Sequence, residues 1–356
     1  MKTKTAIDFQ LRWQGQLSDY VTAIAHSPDG KLWAAASGAG EVSLFSATTF
    51  EEVVHQGSTG QSVDCLAFSQ DGNLLAVAGQ NGQLQIWKIN NGLPELMTTL
   101  EYPRIWIDRL VWNPSHNQLA YSLGKRVHIW DAMSQKIVIS RNFEASSVLA
   151  LDWRRDGRYL AIAGYQGMQV WDTLNWEAEP TVLDIPSASV AIAWSFDGKY
   201  LASGNLDSTL TIYEWGNPNP WLMQGFLGKV QQLAWCQVPS QGYPLLAVSS
   251  GEEIVICRRE QDDFVGWSSQ ITGHSEKVTA IAFQPQKTLL ASAGQDGWVH
   301  LWHRGKQLIQ SLKGISQGFS CLSWHPRGEQ LIAGGENGEI LIWSQTKRGQ
   351  GFNHTP

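Results

Sequence analysis

The chain has 356 residues, with 26 Lys+Arg against 32 Asp+Glu for a formal charge of -6, and only 16% of its residues are charged. Its 43% hydrophobic content, 34 Gly and 18 Trp provide for a large core and exclude disorder as the main state. The acidic balance and the lack of a Lys/Arg stripe exclude an electrostatic nucleic-acid footprint, and no apolar run is long enough to predict a membrane-spanning helix.

The opening MKTKTAIDFQLRWQGQ lacks the apolar stretch of a secretory signal, so the chain is expected to be cytoplasmic. Residues 6–15 of this run alternate as a strand does. From Val21 onward one motif recurs, first as VTAIAHSPDGKLWAAASGAGEVSLF and then from Val63, Ile107, Val148, Ser189, Val230, Val278 and Phe319. The copy at Val278, VTAIAFQPQKTLLASAGQDGWVHLW, is the clearest. The eight units end at Phe45, Trp87, Trp130, Trp171, Tyr213, Cys257, Trp302 and Trp343, spaced 42, 43, 41, 42, 44, 45 and 41 apart. Each holds three period-2 runs separated by turn tokens such as S-P-D-G and R-D-G, which predicts antiparallel hairpins. A weaker fourth run fills each gap, as in EEVVHQGST after Phe45 and KQLIQSLKG after Trp302. Four strands in about 40 to 45 residues make one propeller blade. The expected architecture is all-β, eight-bladed and single-domain over residues 1–346, with a polar tail at 347–356. Residues 6–15 are expected to supply the outer strand missing after Trp343, because open strand edges invite aggregation.

These repeats resemble the WD-repeat β-propeller family over residues 5 to 345. The family's Trp-Asp pair stands at Trp130-Asp131 and Trp171-Asp172, and its Gly-His at Gly273-His274. The resemblance implies a buried hydrogen-bonded tetrad, complete only in the seventh unit as His274, Ser292, Asp296 and Trp302. The fifth unit keeps Ser203 and Asp207, while others put Ala35, Val77 or Ala333 at the Ser position and Asn81 or Asn337 at the Asp position. Those units must lean on apolar packing. The sixth position of each unit is aromatic in seven copies (Phe68, Trp112, Trp153, Trp194, Trp235, Phe283, Trp324) and His26 in the first, which is therefore read as a core residue rather than a ligand. Cys65, Cys236, Cys257 and Cys321 lie far apart with no C-x-x-C pair, and are expected to be reduced and buried.

Catalytic motifs are sparse. Gly314-Ile315-Ser316-Gln317-Gly318 fits G-x-S-x-G, but a nucleophile elbow needs a helix after the Ser and a strand follows here. His300 and His303 lie three apart on a strand and point to opposite faces, so they cannot share a metal. No cofactor or metal is expected. The predicted role is a non-catalytic scaffold for a protein or peptide partner, monomeric within a complex, without nucleic acid or membrane insertion. A propeller enzyme or small-ligand binder using the channel mouth is one alternative; a substrate-recognition subunit of a larger regulatory complex is another.

The resemblance implies docking on the face bearing the loops into the first strand and between the second and third, termed here the upper face. That places Tyr20, Thr22, Ser62, Asp64, Gln80, Trp106, Asp108, Tyr165, Lys229, Gln231, Lys277, Thr279, Gln295 and Glu336 there. Tyr20, Trp106 and Tyr165 stand out, since exposed aromatics anchor interfaces; the alternative for Tyr20 and Trp106 is to cover loop backbone. No Arg occupies these positions, which disfavours phosphopeptide capture. On the opposite face, Trp176, Trp215, Trp221 and Tyr243 are a second candidate patch. The alternative there is that each ring tucks against its own blade.

Overall fold

A computed structural model describes residues 8–238, 244–260 and 267–346. The described residues form thirty strands, and no helix among them is long and apolar enough to cross a membrane. The seventh unit shows the basic pattern: Val278–Phe283, Leu289–Gly294, Trp298–His303 and Gln307–Lys313 pair antiparallel in sequence order, from the innermost strand to the outermost.

The strands form seven hydrogen-bonded sheets, six of four strands and one of six. The propeller therefore has seven blades, and the expected eight is corrected. The cause lies between the fourth and fifth units, where Tyr159–Asp172 and Thr181–Trp194 are each 14 residues long and serve both units. The connector Ile185-Pro186-Ser187-Ala188 stays extended, and Ala188 bridges back to Tyr165 across a register shift that skips residues 185–187, so both units stay in one sheet. Gln166 (φ 67) and Gly167 (φ 125) make the tight turn that keeps Tyr165 within reach.

The N-terminal strand Phe9–Gln16 pairs antiparallel with Glu339–Gln345 and is the outer strand of the last sheet. Residues 6 and 7 of the expected closing strand lie outside the described residues. Phe9 is buried, packs edge-on against Trp324 at 5.5 Å and is clamped by Gln310, whose amide accepts from Phe9 N (3.0 Å) and donates to Phe9 O (2.8 Å).

The core lies between neighbouring units. Leu74, Ala76 and Ala78 of the second unit pack on Trp112, Leu119 and Trp130 of the third, and similar clusters recur around the ring. The sixth-position tryptophans also tie the units with hydrogen bonds. Trp112 Nε1 donates to Ala67 O (2.9 Å), Trp153 to Val111 O (3.2 Å), Trp235 to Ala193 O (2.9 Å) and Trp324 to Ala282 O (3.0 Å). His26 fills the same place with Nδ1 on Ser323 Oγ at 2.9 Å, leaving its buried Nε2 unpartnered. Burial lowers its pKa to about 3, and nearby His325 adds to the effect. All four cysteines are free thiols; Cys236 and Cys257 are buried, whereas Cys65 and Cys321, expected to be buried, are only half-buried as residues.

Candidate functional site: the mouth of the central channel

In six units the innermost strand opens with a β-bulge that skips its second residue: Thr22, Asp64, Val190, Gln231, Thr279 and Ser320. A bulge frees one residue from the ladder and re-aims its side chain. Here all six line one cavity of about 610 Å³. The third and fourth units reach it with Arg109 and Leu149, so every repeat unit contributes. The cavity is the upper mouth of the central channel, because only there do the starts of all the innermost strands converge.

The structure brings Tyr20, Thr22, Asp64, Gln231, Lys277, Thr279 and Glu336 into this lining. Gln80 stands behind it, with Nε2 3.4 Å from Asp64 Oδ1. Asp108 turns aside to accept from Ser122 Oγ (3.2 Å). Ser62 is buried and donates to Asp64 Oδ1 at 2.6 Å. Trp106, Lys229 and Gln295 are exposed on loops outside the cavity, and Tyr165 is exposed within the strand Tyr159–Asp172, also outside it. Trp106 is 62% exposed and Tyr165 50%, whereas the Tyr20 ring lies so close to Gly38 that a Cβ there would meet it at 2.1 Å. Tyr20 thus covers loop backbone while keeping 38% of its surface in solvent.

Sequence reasoning missed Arg109, Leu149, Val190, Gln232 and Ser320. Arg109 occupies the third position, where other units carry Ala23, Cys65, Ala150, Ala191, Gln232, Ala280 and Cys321; one long cation among small residues was the available signal. Its Nε donates to Leu149 O (2.6 Å) and its Nη1 to Asp108 O (2.7 Å), which fixes the guanidinium across the third and fourth units. The mouth thus offers two cations, Arg109 and Lys277, two carboxylates, Asp64 and Glu336, and a ring of hydroxyls and amides. Such a lining is suited to backbone amides and mixed side chains rather than to one charged group.

In the seventh unit His274 Nδ1 lies 3.0 Å from Asp296, His274 Nε2 2.7 Å from Ser292 Oγ, and Trp302 Nε1 donates to that hydroxyl at 2.8 Å. His300 stands beside this relay, its ring 4.4 Å from that of His274. His274, Asp296 and His300 have ligand-type atoms within 4.8 Å of one another. Both nitrogens of His274 are engaged in hydrogen bonds, however, so the arrangement is a structural relay. Burial lowers the His274 pKa, against the opposing pull of Asp296.

On the opposite face the tryptophans separate. Trp176 faces Trp171 at 6.2 Å, Trp215 packs on Tyr159 (4.9 Å) and Trp194 (5.3 Å), and Trp221 lies near Tyr200 (6.4 Å) under the Arg259 guanidinium (4.8 Å). Each belongs to a different core cluster. Tyr243 lies outside the described residues.

Antiparallel sheets arranged around a channel whose mouth all the repeats build define a β-propeller. The chain belongs to the WD-repeat family: the model of the WD domain, G-beta repeat, matches residues 8–46, 51–88, 181–214, 267–303 and 306–344. It is similar to mouse WD repeat-containing protein 90 (30% identity over 81 residues, 21% of this chain and 4% of that protein). It is also similar to the WD repeat-containing protein srw1 of Schizosaccharomyces pombe (23% over 249 residues, 68% of this chain and 36% of that protein). The chain thus spans only a minor part of these relatives. Among solved structures, Saccharomyces cerevisiae Sqt1 superposes with a TM-score of 0.81 at 14% identity, covering 97% of this chain and 100% of that one. Chaetomium thermophilum Sqt1, bound to the N-terminus of the ribosomal protein L10, superposes with a TM-score of 0.79 at 18% identity, covering 92% and 97%.

Proposed function

We propose that this propeller is a non-catalytic adaptor that holds a peptide segment of a protein partner across the mouth of its central channel. One observation carries the reading: bulged residues from six units, with Arg109 and Leu149 from the other two, converge on one cavity. A recognition surface of this kind is what repeat architectures offer, since each copy can vary its contribution without disturbing the fold. The flanking loops support it. Ile105, Trp106, Tyr165, Leu206 and Leu227 are all exposed on the upper face, whereas the turns of the opposite face expose Met133 and Leu174 and no aromatic ring among the large exposed apolar residues. Aromatic anchors around a polar centre are the usual composition of an interface. The Sqt1 structure with a bound N-terminus supports a peptide as the ligand class.

The test is an alanine series against a partner recovered by affinity purification. Trp106→Ala or Tyr165→Ala is expected to cost about 2 kcal/mol of affinity while the fold is retained. Full binding by both variants, together with undiminished binding by Asp64→Ala and Lys277→Ala, would refute the reading.

A further inference from the structure

A second cavity, of about 540 Å³, lies on the rim where the fourth and fifth units meet. It exists because the outer strand of the fifth unit, Trp221–Met223, has three residues where Lys136–Asn142 and Gln307–Lys313 have seven. Its partner strand Leu210–Glu214 is paired only at residues 210–212, so Tyr213 and Glu214 have no outer neighbour. The loop of residues 215–220 rises there instead, stiffened by Pro218 and Pro220 and anchored by Trp215 on Tyr159 and Trp194.

Facing this loop is an open strand edge. In Thr181–Trp194, residues 181–184 pair on one side with residues 167–170, while the other side pairs with Tyr200–Asn205 only at residues 189–194. The second edge of 181–184 thus meets no strand. It faces the groove, because the Tyr213 hydroxyl crosses to donate to Asp184 O at 2.8 Å. Unpaired edges are templates for strand addition unless guarded by charges, Pro or a bulge; residues 181–183 carry none of these, and the one charge, Asp184, stands at the end of the edge. Val182 on it is 60% exposed. Two carboxylates, Asp184 and Glu214, line the groove and form no ion pair among the described residues, and no Lys or Arg lines it.

We propose that this groove takes an extended, Lys- or Arg-bearing segment of a partner protein, its backbone paired along residues 181–183 and its cation held between Asp184 and Glu214. Main-chain pairing supplies affinity in this mode of recognition, and alternate side chains supply specificity. The open edge provides the pairing, the ring of Trp215 and the prolines wall the apolar side, and the two carboxylates select the charge. The site is separate from the channel mouth and does not depend on it.

The probe is a fluorescein-labelled octapeptide, Gly-Thr-Val-Lys-Val-Arg-Val-Gly, with a control carrying Glu for Lys and Arg. Saturable binding of the basic peptide to the full chain is expected, weakened about ten-fold or more by Asp184→Lys or Glu214→Lys and unchanged in Trp106→Ala. Amide exchange within residues 181–184 should slow when the peptide binds. The milder Asp184→Asn and Glu214→Gln guard against misfolding and should fall between wild type and the charge reversals. Equal binding of both peptides, indifference to the charge reversals, or loss in Trp106→Ala would each overturn the proposal. So would a concentration-dependent dimer abolished by Asp184→Lys, which would make a second copy the occupant.

Discussion

The seventh unit and the junction of the fourth and fifth hold neighbouring strands together by different means. In the seventh, a polar relay runs from Asp296 through His274 and Ser292 to Trp302, and it ties His274, which follows the outer strand of the sixth unit's sheet, to the seventh sheet. At the junction the corresponding polar chain, from Ser189 through Ser203 to Asn205, is neutral and stays within the fifth unit. The strands are instead continuous across two units, and a half-buried acid does the bonding: Asp152 Oδ2 accepts the backbone N–H of Trp194 at 2.7 Å. Asp152 stands at the fifth position, where other units carry Ala25, Ala67, Val111, Ala193, Ala234, Ala282 and Ser323. The Trp194 indole, whose counterparts donate to that position's carbonyl, has no partner for its Nε1. The relay ties its unit to the sheet before it, while the junction is joined covalently and by ladder but carries an unmatched donor and an acid whose charged form is disfavoured.

The largest expected effect comes from breaking the relay. His274→Ala cuts the link between Asp296, which keeps the N–H groups of Ser275 and Trp298, and Ser292, which keeps the Trp302 indole; losing two buried hydrogen bonds, one of them to a carboxylate, and opening a cavity costs about 3 kcal/mol in total. Denaturant unfolding should show that loss, and Ser203→Ala in the fifth unit should show clearly less, because the bonds it removes, to Asn205 Oδ1 and Ser189 Oγ, join neutral groups and involve no carboxylate. Equal losses at the two sites would erase the distinction.

The second test uses the acid at the junction. Burial pushes the Asp152 pKa up to about 7, against the N–H groups of Trp194 and Trp153 that favour its charged form. The folded state therefore holds this proton more tightly than the unfolded chain, whose value is the ordinary 3.8. The stabilisation is complete below about pH 4 and lost as pH rises towards and through 7. Asp152→Asn removes the titration, so the variant should gain on wild type by about 2 kcal/mol between pH 5 and pH 8. Parallel stability profiles would show that Asp152 is ionised in the fold, and the contrast with the relay would then rest on hydrogen bonding alone.

The same two regions mark what can be read from residues. The repeat spacing, the three alternating runs and the missing last strand were all legible, since period-2 patterning and turn tokens are local properties. The relay was legible through the family resemblance because its four residue types stand at fixed places in one unit. The merging of two units into one sheet was not. It depends on whether Ile185 to Ala188 stays extended and Ala188 reaches Tyr165, a tertiary outcome that the composition of four residues does not specify. At the channel mouth the second-position residues could be aligned by counting, but their shared direction comes from a bulge that no residue type announces. Arg109 was passed over because its position is filled by uncharged and mostly small side chains elsewhere. Trp215 and Trp221 read either as surface anchors on their Pro-rich loop or as rings tucked on their own blade; the Trp215 ring packs on Trp194 of its own sheet, and the Trp221 ring meets Trp267 of the next.

The smallest effect is also the sharpest, because it compares one substitution at two equivalent places. Trp324 and Trp194 both occupy the sixth position, and both are buried to a similar degree, at 7% exposure. Replacing either with Phe removes similar apolar volume, so the packing cost should nearly cancel between them. What differs is the indole N–H. Trp324→Phe discards a hydrogen bond to Ala282 O and leaves that carbonyl without its indole donor, whereas Trp194→Phe discards a buried donor that had no acceptor. An unmatched buried donor is itself a liability, so its removal should offset part of the lost packing. Trp324→Phe should therefore cost about 1 kcal/mol more than Trp194→Phe, measured by unfolding at pH 5, where Asp152 is protonated and does not add to the difference. An equal cost would mean that the Trp194 indole finds an acceptor in solution, and that the junction is as well matched as the rest of the ring.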